Sequence, residues 1–459
     1  MGDSQAATEP ERGDPLERRR DRRLILSLSG PVILDNLLLN SVRMLSLMFV
    51  GHLGPAAIGA VGLTTQLVMM GMAFFMALGV GSTALVARFR GSGERDLANR
   101  VVQQSLLASV ALGIASAAAG YIFAEPLLRL LGAGDDIVGA GLLFFRLSFM
   151  TLIFTAPGIT LASCLRGIGD TRTPLNINAV ASLISLGLLY WLIYGGLGIP
   201  PLGMAGAALA IMGARVISLV LLLYSLFAGR RWIRLTRRGL TRLDLDLLRR
   251  IAGIGFPNAL EQITMRGGQL IYTRLIVGMG TAVFAAHQIG LNVSSLAFMP
   301  GFGMGAAATT LVGQSLGQRD PDRAERLGLE TQKLGILLTG AVGLFFIVLA
   351  PQLVSLYSRD PEVIALGTTV LRLLALAQPG IGTWFVLAGA LRGAGDTRWP
   401  LYITMVCIWV IRLGLTYLFV QVFGWGLREV WIAVVLDHLA RGSLVYMRFR
   451  AGRWKELRV

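Results

Sequence analysis

Two acidic residues stand where acids are costly. Asp35 and Glu261 each lie near the middle of a long apolar run, four residues after Pro31 and Pro257. A charged side chain at the centre of a bilayer span costs about 2.5–3.5 kcal/mol on insertion scales, so it faces protein or water and is read first as functional. Desolvation disfavours the charged form of a carboxyl group, which lets such a group take up and release a proton or small cation. Asp35 and Glu261 are therefore the candidates for binding a coupling ion, H+ or Na+, or the positive charge of a cargo. The structural alternative is a buried ion pair, Asp35 with Arg43 or Glu261 with Arg266.

The helical neighbours of these acids are polar. At ~100° per residue, Asn36, Asn40, Arg43 and Ser46 share a face with Asp35. Gln262, Arg266, Gln269, Tyr272 and Thr273 share a face with Glu261. Two such stripes would suit the walls of a central cavity, and Asn36, Asn40, Gln262, Gln269 and Tyr272 are the expected lining, with Asn292 from the next run. His287 is a candidate proton carrier, since imidazole titrates near neutral pH; a hydrogen-bonded packing histidine is the simpler account. Asp437, beside His438, is expected to pair with Arg441 or Arg215. Arg146 and Arg372 are expected to snorkel or bind carbonyls.

Other chemistry has little support. The three histidines and two cysteines are scattered, so neither a metal site nor a disulfide framework is expected. Gly313-Gln314-Ser315-Leu316-Gly317 lacks the Lys-Ser/Thr that completes a phosphate loop. No cofactor and no enzymatic activity are expected, and energy for any transport must come from an ion gradient.

The elements that position these residues follow from composition. Hydrophobic residues are 54% of the chain, charged residues only 15%, and mean hydropathy is +0.66. A soluble domain is nearer a quarter charged. Apolar runs of roughly 20 residues or more recur along the chain, too long and too continuous for barrel strands. In hydrocarbon every backbone polar group must be satisfied internally, so the runs are helices. The expected fold is an all-α membrane protein with twelve spans, near 24–49, 56–87, 99–123, 137–164, 174–195 and 204–229, then 250–276, 282–313, 325–350, 362–390, 400–423 and 429–447. The second span of each set is long and rich in glycine, so it is expected to tilt or bend.

The net charge of +16 does not imply nucleic acid, because it sits in short loops rather than on one soluble face. The lipid bilayer is the expected anionic neighbour. With the N-terminus inside, 31 of the 42 Lys and Arg fall in cytoplasmic segments and only Arg129, Arg359 and Arg428 outside. That bias places both termini in the cytoplasm of a bacterial inner (plasma) membrane. Residues 1–23 form a basic tail without the apolar core of a signal peptide. Residues 24–229 and 250–450 form two lobes, 230–249 a basic linker suited to a short helix on the inner leaflet, and 451–459 a second tail.

One offset of 226 residues matches the two halves. Pro31 meets Pro257, Asp35 meets Glu261, Thr83 meets Thr309, Arg146 meets Arg372, and Arg215 meets Arg441. The run Leu165 to Arg172, LRGIGDTR, meets Leu391 to Arg398, LRGAGDTR. In these loops Asp170 and Asp396 are expected to cap the next helix, with proline in its first turn. Six spans per copy is an even number, so both copies enter the membrane the same way. Parallel repeats of this kind are a transporter architecture with the substrate site between the halves near the midplane.

The sequence resembles the multidrug and toxic compound extrusion (MATE) family over roughly residues 24–445. The likeness rests on Val50-Gly51-His52-Leu53-Gly54 with Ala60-Val61-Gly62-Leu63, on Ala285-Ala286-His287-Gln288-Ile289, on Val312-Gly313-Gln314, and on both LRGxGDTR loops. The resemblance implies twelve helices in two lobes and antiport of organic, often cationic or amphipathic, compounds against H+ or Na+. A monomer and a small organic substrate are expected. The chain departs from the family at its better-known ion sites: Ser46 stands where many members carry aspartate, Ile184 and Leu188 replace a polar pair, and Ile381 replaces an acid. Asp35 and Glu261 are the candidates to replace them. The runner-up function is a flippase for a lipid-linked saccharide; a channel or intramembrane enzyme fits the paired lobes less well.

Overall fold

The computed structural model describes residues 15–132, 134–195, 200–229, 231–236 and 243–457. The helices are α1 (Pro15–Gly51), α2 (Pro55–Ser92), α3 (Arg95–Ile122), the short α4 (Ala124–Leu130), α5 (Asp135–Met150), α6 (Leu152–Gly167), α7 (Arg172–Tyr194) and α8 (Gly203–Phe227). Then follow α9 (Leu245–Val277), α10 (Thr281–Gly317), α11 (Pro321–Ser355), α12 (Pro361–Ala394), α13 (Arg398–Met405), α14 (Leu413–Tyr417) and α15 (Leu427–Arg450). Two π-helical stretches, Val406–Arg412 and Leu418–Val422, join α13 and α14 into one span running to residue 422. Thr151 divides the fourth expected span into α5 and α6.

Among the described residues, eleven helices are long and apolar enough to cross a membrane. The one expected span outside that set is the seventh, α9, which is 33 residues long but made polar by Glu261, Gln262, Arg266, Gln269 and Arg274. Inside a bilayer it can hold that stripe only by turning it to protein or water.

The packing repeats as the sequence does. In the first half α2 packs on α3, α5 and α6, and α7 on α8; in the second, α10 packs on α11 and α12, and α12 on α15. The halves meet through α1 with α10, α2 with α9, and α2 with α10. Exchanging each helix for its counterpart reproduces that set. Side-chain bonds repeat too. Thr83 Oγ1 donates to the carbonyls of Gly79 (2.8 Å) and Ser163 (3.0 Å), and Thr309 Oγ1 to those of Gly305 (2.9 Å) and Gly389 (2.8 Å).

All basic segments that are described gather at one end. Arg88 donates to the Leu457 carbonyl, Arg326 reaches Glu17 and Asp21, and Lys455 binds Asp322 and Glu325. At this basic end the lobes approach most closely. A Cβ on Gly317 would lie 2.0 Å from the Arg88 carbonyl oxygen, and one on Gly91 2.0 Å from that of Gln314. Only glycine permits such an approach. Thr310 Oγ1 and Gln314 Nε2 add bonds, both 2.9 Å, to the carbonyls of Arg166 and Gly167 across the boundary.

The linker is described only in part: residue 230 is not described, and 245–249 already belong to α9. Residues 231–236 are not helical; they lie along α3, with Ile233 and Leu235 buried. Arg95 donates to the carbonyls of Trp232 and Arg231, and the Arg234 amide donates to Asn99. Apolar residues two apart bury better from an extended strap than from a surface helix. Residues 237–242 lie outside the described residues.

Candidate functional site

Pro31 and Pro257 stand inside α1 and α9, and each removes one rung of the hydrogen-bond ladder a turn before the acid. Asp35 is 7% exposed. Its Oδ1 accepts from Asn178 Nδ2 on α7 (2.9 Å), and Asn178 Oδ1 accepts from Ser218 on α8 (3.2 Å). Arg166 and Arg215 are near enough to act on the carboxylate electrostatically, but Arg166 spends Nη2 on Ser163 Oγ at 2.8 Å.

Glu261 is 1% exposed. Arg392 Nη2, from the second LRGxGDTR loop, donates to Oε1 at 2.8 Å and Oε2 at 2.9 Å, and Thr404 Oγ1 lies 3.5 Å from Oε1. These partners obey the 226-residue offset: Asn178 matches Thr404 and Arg166 matches Arg392. The expected partners Arg43 and Arg266 are both exposed instead, with Arg266 Nη2 4.0 Å from Met69 Sδ.

The two acids do not share one chamber in this conformation. Each faces its own lobe, Asp35 toward α7 and Glu261 toward α12 and α13. A helical wheel ranks the faces of one helix but does not say which neighbour each face meets, and this inversion could not be read from it. The offset was the signal that could have found Asn178, Thr404 and Arg392.

The expected lining is dispersed as well. Asn36 is half-buried and donates to the Val32 carbonyl at 2.9 Å; Asn40 and Gln262 are half-buried. Asn292 is exposed and donates to the Gln288 carbonyl at 2.9 Å. Gln269, Tyr272 and His287 belong to the interior of the second lobe. Tyr272 and His287 are 1% and 0% exposed, their rings 5.3 Å apart, with Trp431 5.7 Å beyond His287. No described residue hydrogen-bonds either ring nitrogen of His287. It is buried among aromatic rings and, among the described residues, lacks the hydrogen bond expected of a packing histidine.

Asp437 pairs with Arg441, whose Nη2 donates to Oδ1 at 2.9 Å and Oδ2 at 3.1 Å, and also with Arg412. Arg215 takes no part in that pair. Arg146 stacks on Tyr121, 4.9 Å from the ring centre, and Arg372 is exposed. Asp170 caps α7 through the Thr173 amide (3.1 Å) and binds Arg231, whereas Asp396 holds Arg448 at 2.7 Å. Among the described residues no group of three or more His, Cys, Asp and Glu could hold a metal ion.

An all-helical, two-lobed, multi-pass membrane protein with repeat-related buried acids is a transporter-type architecture. The MatE family model matches residues 31–191 and 257–418, one block in each half, and the chain belongs to the MatE family. It is 28% identical over 436 residues to a probable multidrug resistance protein NorM of Thermotoga maritima, covering 95% of this chain and 93% of that one. It is also 28% identical to the multidrug resistance protein MdtK of Pectobacterium atrosepticum, covering 94% of this chain and 95% of that one. Among solved structures, a MOP superfamily transporter from Pyrococcus furiosus superposes with a TM-score of 0.88 at 25% identity, over 97% of this chain and 98% of that one. That protein is described as having a binding pocket of reverse polarity, which suggests a different function for it. An outward-facing multidrug resistance MATE family transporter shares the fold, with a TM-score of 0.88, 24% identity, and coverage of 97% of this chain and 100% of that one.

Proposed function

We propose that this protein exports small organic compounds, cationic or amphipathic, across the bacterial inner membrane in exchange for H+ or Na+. The cargo class is supported by the multidrug resistance relatives. The observation that carries the alternating-access reading is the closure of the lobes at the basic end, through Gly91 and Gly317 and through the Thr310 and Gln314 bonds. The arginine bias supports a cytoplasmic position for that end. In this conformation an exported cargo leaves the site toward the outside, and separating these contacts opens the inner side, from which the next cargo is loaded.

On this reading Asp35 binds the coupling ion within the first lobe, and Glu261 is a second acid that becomes available when Arg392 releases it. The protein works as a monomer, both tails facing the cytoplasm. The residues between the lobes that meet cargo include Asn36, Asn40 and Gln262.

Reconstitution into proteoliposomes tests this, with a proton gradient and a sodium gradient imposed separately and a fluorescent organic cation as cargo. One gradient should drive uptake into inverted vesicles. Asp35→Asn should remove that dependence while the purified protein still unfolds cooperatively. Gradient-driven transport by Asp35→Asn at the wild-type rate would remove Asp35 from the coupling role.

A further inference from the structure

Nine of the eighteen buried side-chain atoms that lack a hydrogen-bond partner among the described residues lie in one region of the second lobe. They are Gln269 Nε2, Tyr272 Oη, both ring nitrogens of His287, Arg412 Nε, Thr416 Oγ1, Trp431 Nε1, His438 Nδ1 and Arg441 Nε. A buried polar group without a partner costs about 1–3 kcal/mol, and such atoms are normally few and scattered. Their concentration calls for a ligand that satisfies several at once.

The fold brings them together. Gln269 and Tyr272 are one turn apart on α9, and Arg412 and Thr416 one turn apart where the π-helical stretch runs into α14. A π turn widens the helix and redirects its side chains, and such turns are frequent at functional sites. The Arg412 guanidinium carbon lies 6.0 Å from the centre of the Tyr272 ring, which leads through His287 to Trp431. Tyr272, His287, Thr416 and Trp431 are each no more than 1% exposed.

The chemistry of the orphans selects the ligand. Amide, indole and guanidinium nitrogens only donate. The acid facing them, Asp437, is already shared between Arg412 and Arg441. Two guanidinium groups against one carboxylate leave an excess positive charge in a low-dielectric interior, which is expensive unless compensated. Water would satisfy the donors but not the charge. We propose that the second lobe holds a small monovalent anion of the halide class, cradled by Gln269, Tyr272, His287, Arg412, Thr416 and Trp431.

The first lobe lacks this feature. At the offset of 226, His287, Arg412 and Trp431 correspond to Val61, Leu186 and Ala205. The site is therefore an addition to one copy of the repeat rather than a requirement of the fold.

The test uses the full-length purified protein in detergent, unfolded by heat in sodium bromide, sodium acetate or sodium gluconate at equal ionic strength and pH. Bromide should raise Tm saturably over gluconate, and the larger acetate should do so less. Trp431→Phe keeps the ring and removes its N–H donor; Arg412→Gln removes the excess charge while Arg441 still pairs with Asp437. Both should unfold cooperatively in gluconate. Trp431→Phe should bind bromide roughly tenfold more weakly, as expected for losing one hydrogen bond to an ion, and Arg412→Gln should lose the bromide response. Equal Tm of the wild type in bromide and gluconate, a response to acetate alone, or an undiminished bromide response in both variants would overturn the proposal. If Arg412→Gln does not fold, the wild type and Trp431→Phe decide it.

Discussion

Removing the charge of Glu261 separates two roles that one residue can have. Its side chain is 2% exposed and that of Arg392 16%. Deleting one partner of a buried pair costs about 3–5 kcal/mol, because the other charge remains desolvated and uncompensated. Glutamine keeps one acceptor oxygen near Arg392, so Glu261→Gln should fall at the lower end, about 3 kcal/mol. Arg392→Met should cost a similar amount. The double variant leaves no lone charge, and apolar replacement of a whole pair is often neutral, so it should recover to within about 1 kcal/mol of wild type. Equilibrium unfolding of the four proteins in one detergent measures this cycle, and gradient-driven transport in proteoliposomes reads function. Glu261→Gln should transport poorly, and the double variant should regain stability without regaining coupling. Wild-type stability of Glu261→Gln would show that the pair is not energetically buried. Coupled transport by the double variant would leave the carboxylate a purely structural part.

Two further outcomes are expected. Gly317→Ala would set a methyl group 2.0 Å from the Arg88 carbonyl oxygen, forcing the basic ends of α2 and α10 apart. Overpacking of that kind costs about 1–3 kcal/mol, so an impermeant thiol reagent applied from the cytoplasmic side should label the buried Ala87→Cys position faster in this background; equal labelling would refute the closure. Thr309→Val removes the hydroxyl that bonds the Gly305 and Gly389 carbonyls. Its loss should lower stability by about 1–2 kcal/mol with little change in transport, and an unchanged unfolding curve would show that the bond between α10 and α12 contributes nothing.

The parts of this molecule that depend on solvent were legible in the sequence. Hydrocarbon length and backbone satisfaction fix where helices can run, and the expected spans lie within the observed helices to within a few residues. α9 was recognisable through the repeat, because its hydropathy alone hides it. Partner choice was not legible. The face bearing Asp35 is polar, but whether it meets α7 or the opposite lobe depends on how helices pack in three dimensions. Arg412 and Trp431 escaped notice because they have no polar counterparts in the first half and no local motif. The linker misled because its alternating arginines suit a surface helix, whereas Ile233 and Leu235 are consumed by packing on α3.

The repeat-matched acids differ in the chemistry of their partners, and this ranks them. Arginine has five donors and no acceptor. Protonating Glu261 would strand the Arg392 guanidinium, which cannot accept the new O–H, and would leave only Thr404 Oγ1, 3.5 Å from Oε1, to take it. Asn178 offers both a donor and an acceptor, and Ser218 can rotate its hydroxyl to suit. Turning that amide over would let its oxygen accept a hydrogen bond from a neutral Asp35 where its nitrogen now donates to a charged one. The first-lobe network can serve both states without breaking an ion pair. A coupling residue must cycle between such states in every turnover, and on that ground Asp35 is better built for the task than Glu261, although Glu261 is the more deeply buried of the two.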